Sequence, residues 1–152
     1  MTCTGSEAND IALRIAQTIT NAKGIISTNH TYHGNTALVS QLSDTNPSSS
    51  FSLNTFKRVF APDSYRLNGS KNIEEYSRSF AQDIEQKINE FKKENIGFAG
   101  IILCPFFANE GFPNLPNGWL EPAQKIIKKH GGVIIADEVQ PGFGRLGSSM
   151  WS

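Results

Sequence analysis

The sequence predicts an α/β fold, a mostly parallel sheet flanked by helices, and two observations carry this. Three runs of strand length, at Ile25 to Thr28, Ala99 to Leu103 and Val133 to Ala136, lack the polar alternation of a half-exposed strand. The stretches between them hold apolar residues at helical spacing. Strands that are apolar throughout are covered on both faces, as in a parallel sheet whose crossover helices lie above and below it.

Each element has a local cause. Thr4-Gly5-Ser6-Glu7 reads as a capping box, with Thr4 as N-cap and Glu7 three positions on. The helix that follows carries Ala8, Ile11, Ala12, Ile15, Ala16 and Ile19 at helical spacing, which are expected to form its buried face. Asp10 precedes Arg14 by one turn and supports the helix as an ion pair. Gly24 ends that region and the first strand follows. Asn46-Pro47-Ser48-Ser49-Ser50, Ala61-Pro62-Asp63 and Asn68-Gly69-Ser70 are turn signals, and between them only Arg58-Val59-Phe60 hints at a strand. Asn72 caps a second helix whose stripe is Ile73, Tyr76, Phe80, Ile84, Ile88 and Phe91. A long loop rich in Pro, Gly and Asn runs from Pro105 to Gly118. Its aromatic residues, with Trp119 beside it, are expected to bury in an interface or core. Leu120, Ala123, Ile126 and Ile127 mark a third helix, closed by His130-Gly131-Gly132.

Composition narrows the class. With 38% hydrophobic and 18% charged residues, the chain is rich enough to build a core. Fourteen basic side chains balance fourteen acidic ones, so no overall field draws nucleic acid or an anionic membrane. The cluster Lys125, Lys128 and Lys129 reads as a solvated helix face. Cys3 and Cys104 fit no disulfide framework and read as reduced thiols. No run approaches the ~18 apolar residues of a membrane span, and the first residues lack the pattern of a signal peptide. A cytoplasmic protein is expected. The chain opens almost directly on a helix signal and stops at Met150-Trp151-Ser152 without a closing element, so residues 1–152 are expected to be part of a larger domain, truncated at both ends.

Ligands of open parallel sheets sit beyond the carboxyl ends of the strands. That singles out Gly5-Ser6, the segment Thr31 to Asn35, and Asp137 to Gly147. Gly5-Ser6 offers bare N–H groups at a helix N-terminus, suited to a phosphate, though every helix end caps in some way. Asp137 closes an apolar strand, so its carboxylate needs a partner; a cationic ring nitrogen or a nearby Arg or Lys would serve. Gly142 to Gly147 has the spacing G-x-G-x-x-G, but four residues separate it from the strand and no helix start follows. His30 and His33 have zinc-like spacing without a second ligand pair, so no metal is expected. No Gly-x-Ser-x-Gly nucleophile motif occurs.

Taken together, three segments resemble one family. Thr4-Gly5-Ser6-Glu7-Ala8-Asn9 is similar to the Ser-Gly-Ser-Glu-Ala-Asn segment of class III aminotransferases. Tyr32-His33-Gly34-Asn35-Thr36 resembles their Tyr-His-Gly-x-Thr. Asp137-Glu138-Val139-Gln140-Pro141-Gly142-Phe143-Gly144-Arg145-Leu146-Gly147 resembles their Asp-Glu-Val-Gln-x-Gly-Phe-Gly-Arg-x-Gly. The resemblance spans essentially the whole chain. It implies part of the large, pyridoxal-phosphate-binding domain of a fold type I enzyme, without the small domain. It also implies the roles of six cofactor-binding residues and of one backbone position. Gly5 and Ser6 would hold the cofactor phosphate, Tyr32 would stack on the pyridine ring, and Val139 would pack on the opposite face. Asp137 would pair with the ring nitrogen, and Gln140 would meet the phenolic oxygen. Gly34 would let the backbone pass close.

Two departures from the family pattern stand out. Cys104-Pro105 replaces a frequent Glu-Pro, removing a charge near Asp137. None of the nine lysines occupies the place of the family's cofactor-bearing lysine, which lies on a later segment, so no catalytic residue is assigned within the chain. The expected parent activity is amino transfer from an amine or amino acid to a keto acid or aldehyde, in a homodimer. The alternatives are an aminomutase, a lyase acting on phosphorylated amines, or an inactive remnant.

Overall fold

The computed structural model describes residues 1–44 and 53–152; the turn expected at Asn46 to Ser50 lies outside them. The elements are α1 (Gly5–Thr20), β1 (Gly24–Thr28), β2 (Phe56–Val59), α2 (Ile73–Lys93), β3 (Phe98–Leu103), α3 (Glu121–Lys129) and β4 (Val133–Ala136), with short 3-10 turns at Val39–Gln41 and Leu67–Gly69. The four strands form one sheet in the order β2-β1-β3-β4, and every neighbouring pair is parallel. The hint of a strand at Arg58 to Phe60 is β2, which starts two residues earlier.

α1 begins on the capping box. Glu7 N donates to Thr4 Oγ1 (3.1 Å), while Glu7 Oε2 accepts from Thr4 N (3.2 Å) and Cys3 N (2.8 Å). The helix stops at Asn21 in the left-handed conformation. Asn72 caps α2 by accepting from Glu75 N (2.9 Å). The two sheet faces carry separate cores. On one, Leu13 of α1 meets Ile25, Val39, Leu42, Ala99 and Ile102. On the other, Phe80, Ile84, Ile88 and Phe91 of α2 and Ile127 of α3 cover Ile26, Ile101 and Leu103.

The structure corrects two expectations. The buried residues of α1 are Asn9, Leu13 and Ala16, while Ile11, Ile15 and Ile19 are 39%, 55% and 65% exposed. The first turns of α1 turn polar side chains inward, and the isoleucines fall on another side of the helix. β1 and β3 are buried along their full length as expected, but β4, the last strand of the sheet among the described residues, alternates between half-buried and exposed residues. Of the aromatic residues of the 105–118 loop, Phe107 enters the chain's own core and Trp119 beside the loop packs against it, while Phe106 is half-buried against Phe112. Phe107 and Trp119 pack edge-on with centroids 5.7 Å apart, Trp119 lies 5.2 Å from Phe80, and Phe112 stays exposed. The lysine cluster of α3 is a solvated face, with Lys129 paired to Glu85 (3.0 Å) and Lys125 near Glu121 (3.9 Å). Among the described residues, no helix is long and apolar enough to cross a membrane.

Candidate functional site

The parallel order brings the ends of β1, β3 and β4 and the start of α1 to one edge of the sheet. Ser6, Asn9 and Asp10 share a side of α1 at spacings of three and four, and all three grip the loop after β1. Ser6 Oγ accepts from Asn35 N (3.1 Å), Asn9 Nδ2 donates to His33 O (2.9 Å), and Asp10 Oδ1 accepts from Thr36 Oγ1 (3.0 Å). From the other side Ser43 Oγ accepts from His33 N (3.0 Å) and donates to Gly34 O (3.1 Å). Gly34 has φ +132°, and a Cβ there would stand 2.5 Å from Ser6 Oγ. Only glycine allows this approach of loop to helix.

Asp137 continues from β4, with its N–H bonded to Leu103 O (2.8 Å), and is 6% exposed. Its Oδ2 accepts from Asn9 Nδ2 (2.9 Å) and lies 2.7 Å from His33 Nδ1; its Oδ1 accepts from Val139 N at 3.2 Å. His33 is fully buried, and its Nε2 lies 3.1 Å from Thr31 Oγ1. The carboxylate's internal partners are therefore an imidazole and an amide, not the Arg or Lys considered from sequence. With Oδ2 loaded twice and Oδ1 holding one long bond, the acceptor capacity left over is on Oδ1.

A cleft of about 370 Å³ opens beside this carboxylate, lined by Gly5, Ser6, Tyr32, His33, Cys104, Asn109, Asp137, Val139 and Gln140. All six residues singled out from the sequence meet here. At its α1 end, Glu7 N and Ala8 N are taken by Thr4, whereas the N–H groups of Gly5 and Ser6 meet no acceptor among the described residues. Two oriented donors at a helix N-terminus favour an anion. A Cβ on Gly5 would come 2.5 Å from Val139 Cγ2, so these two residues lie against each other and a larger residue would displace Val139. Tyr32 and Val139 are 40% and 65% exposed, presenting apolar surface at the cleft. Cys104 is buried; burial pushes its thiol above the ordinary range, and the Asp137 and Glu110 carboxylates add to the effect. It lines the cleft as a neutral group.

The sequence reading named His33 only as a metal candidate and gave Asn9 no role. A polar i, i+3 pair at the head of an apolar helix was the available signal for Asn9. Among the described residues no group of three or more His, Cys, Asp or Glu could hold a metal ion. The glycines 142 to 147 lie in consecutive turns, with Gly144 and Gly147 at positive φ, and no helix follows.

Comparison with known proteins bears on this cleft. The model of the aminotransferase class-III family matches residues 1–152. An alanine–glyoxylate aminotransferase 2-like protein of Drosophila melanogaster is 32% identical over 97% of the chain and 31% of its own length. Ethanolamine-phosphate phospho-lyase homolog 1 of Caenorhabditis elegans is 29% identical over 97% of the chain and 34% of its own length. The chain thus spans about a third of the length of these relatives. Two solved structures superpose closely. A phospholyase from Arthrobacter in complex with phosphoethanolamine has a TM-score of 0.88 at 30% identity, over 99% of this chain and 35% of that one. The omega transaminase of Pseudomonas jessenii in complex with PMP has a TM-score of 0.84 at 31% identity, over 99% of this chain and 35% of that one.

Proposed function

The chain belongs to the class III aminotransferase family, and on that premise we propose that it supplies the phosphate- and ring-binding residues of a pyridoxal-phosphate site in a cytoplasmic, homodimeric transaminase. The observation that carries this reading is the convergence in one cleft of two unbonded helix N–H groups and a buried carboxylate with spare acceptor capacity. Those features suit the two ends of the cofactor: a phosphate at Gly5 and Ser6, a protonated ring nitrogen at Asp137.

When bound, pyridoxal phosphate supplies an electron sink for the pair released as a substrate Cα–H bond breaks. The protein's part follows from its own groups. Asp137 Oδ1 would accept from the protonated ring nitrogen, while Asn9 and His33 fix the carboxylate by loading Oδ2. Tyr32 and Val139 would shield the ring from water, and Gln140 would donate to the phenolic oxygen. Cys104, being neutral, adds no second charge beside Asp137. Among the described residues no lysine lines the cleft, so these residues offer no amine for covalent attachment of the cofactor there. The 152-residue chain alone is expected to bind without turning over. A second reading is favoured by the phospho-lyases among the relatives: the same cleft serving elimination of phosphate from a phosphorylated amine.

Pyridoxamine 5′-phosphate, which needs no lysine, tests the binding reading. Saturable binding to one site is expected, weakened at least about tenfold, or ~1.4 kcal/mol, by Asp137→Ala, and competed by inorganic phosphate. Equal binding by the variant would refute the role of Asp137. Pyridoxal phosphate followed by borohydride is expected to leave no stoichiometric adduct at any single lysine. In the parent enzyme, release of inorganic phosphate from phosphoethanolamine marks the lyase, and amino transfer dependent on a keto acid marks the transaminase.

A further inference from the structure

A second recess, of about 660 Å³, lies beside the cleft at the same edge of the sheet, and its lining includes Phe60, Tyr65, Phe112, Asp63, Arg66 and Glu110. Glu110 is anchored at the carboxyl end of β1, where its Oε1 accepts from the buried Thr28 Oγ1 at 2.7 Å. Its Oε2 is closed to water and has no hydrogen-bond partner among the described residues. A buried carboxyl oxygen without a partner is unfavourable whichever protonation state it adopts, because an added proton would lack an acceptor in turn. The basic side chains in and next to the recess already have partners. Arg66 is paired with Asp63 at 3.2 Å and lies over the Tyr65 ring. His30 is turned to Asp44 at 4.0 Å. Arg58 is bonded to the Gln41 and Ser43 carbonyls. A metal ion lacks further ligands, since no suitable group of three occurs among the described residues.

We propose that this recess binds a primary organic ammonium, with the Glu110 carboxylate as its acceptor and the aromatic side chains around it receiving a short apolar chain. Phe60 and Phe112 are 69% and 56% exposed and offer that apolar surface. Admitting the ammonium to Oε2 requires a shift of the turn after Glu110. Gly111, which follows at φ +104°, is a position where the backbone is free to take conformations closed to other residues, and a Cβ there would meet no atom within 4 Å. The ammonium held here is distinct from any group reacting in the neighbouring cleft, because Glu110 does not line that cleft.

Calorimetric titration of the 152-residue chain with n-propylammonium chloride tests this. Saturable binding is expected. Tetramethylammonium, which cannot donate a hydrogen bond, is expected to bind at least about tenfold more weakly. Glu110→Gln, which retains an acceptor for Thr28, is expected to weaken propylammonium by a similar factor, and Phe112→Ala to weaken it without changing the preference between the two cations. Absence of saturable binding, equal affinity for both cations, or unchanged affinity in Glu110→Gln would each overturn the proposal. Titrating pyridoxamine phosphate into the native chain separates the two readings: cofactor binding without propylammonium binding refutes the ammonium site alone, and the reverse refutes the cofactor reading alone.

Discussion

Replacing Asn9 by alanine removes one side chain that ties three parts of the chain together. Asn9 is 5% exposed, and its Nδ2 donates both to the Asp137 carboxylate and to the His33 carbonyl, each at 2.9 Å. A hydrogen bond to a charged group contributes about 1.5–3 kcal/mol and one to a neutral carbonyl about 0.5–1.5 kcal/mol. The expected loss is therefore about 2–4 kcal/mol, or roughly 5–15 °C in Tm for a chain of this size. Urea unfolding followed by circular dichroism measures it, with Arg14→Ala as the reference. That substitution removes an ion pair of 3.5 Å on the outside of the same helix, whose Arg14 side chain is 64% exposed, and should cost no more than about 0.5 kcal/mol. Asn9→Ala matching the reference would show that the bonds from α1 to Asp137 and the loop do not hold the cleft together.

Two further outcomes follow from local geometry. Gly34→Ala should destabilise by about 1–3 kcal/mol through backbone strain and further through collision with Ser6, whose Cα would lie 2.8 Å from the new Cβ. Gly69→Ala, also at positive φ but with nothing within 4 Å, should show the strain alone, and equal losses in urea unfolding would refute the collision. The Lys57 ammonium is held above the ordinary lysine range chiefly by its hydrogen bond to Glu94, with Glu90 adding to the effect. A raised cationic group lends stability that is complete below the unfolded value of about 10.4 and is lost as pH rises past the folded one. Melting curves above about pH 10.4 should therefore fall more steeply for the native chain than for Lys57→Met, and parallel curves would sink the assignment.

How far the fold could be read from the sequence depended on how local its causes were. α2 was legible because its cap, stripe and end lie within one segment and its stripe does enter the core: Tyr76, Phe80, Ile84, Ile88 and Phe91 are all buried. β3 was legible as an unbroken apolar run for the same reason. β2 was barely visible, since Phe56 to Val59 is an edge strand with exposed Arg58 and draws its regularity from pairing with β1. The apolar run of β4 suggested cover on both faces, and nothing in its residues indicates that among the described residues it pairs with β3 alone.

The cleft was legible in its glycines and its acid, because the segments that carry them follow recognisable helix and strand signals. The partner of Asp137 was not, because His33 lies 104 residues away in sequence and meets it only once β1 and β4 stand in one sheet. The misreading of α1 has the same origin. A helix whose early inward positions are Ser6, Asn9 and Asp10 gives its first turns to hydrogen bonds with the loop after β1 and leaves Leu13 and Ala16 to the core. Apolar periodicity then weighs Ile11, Ile15 and Ile19 most heavily, although they face away from the sheet. Binding geometry at the head of the helix thus sets which side is buried. A polar residue inside a helix stripe, one turn from a glycine-rich start, is better read as a bond to a distant strand end than as a gap in the core.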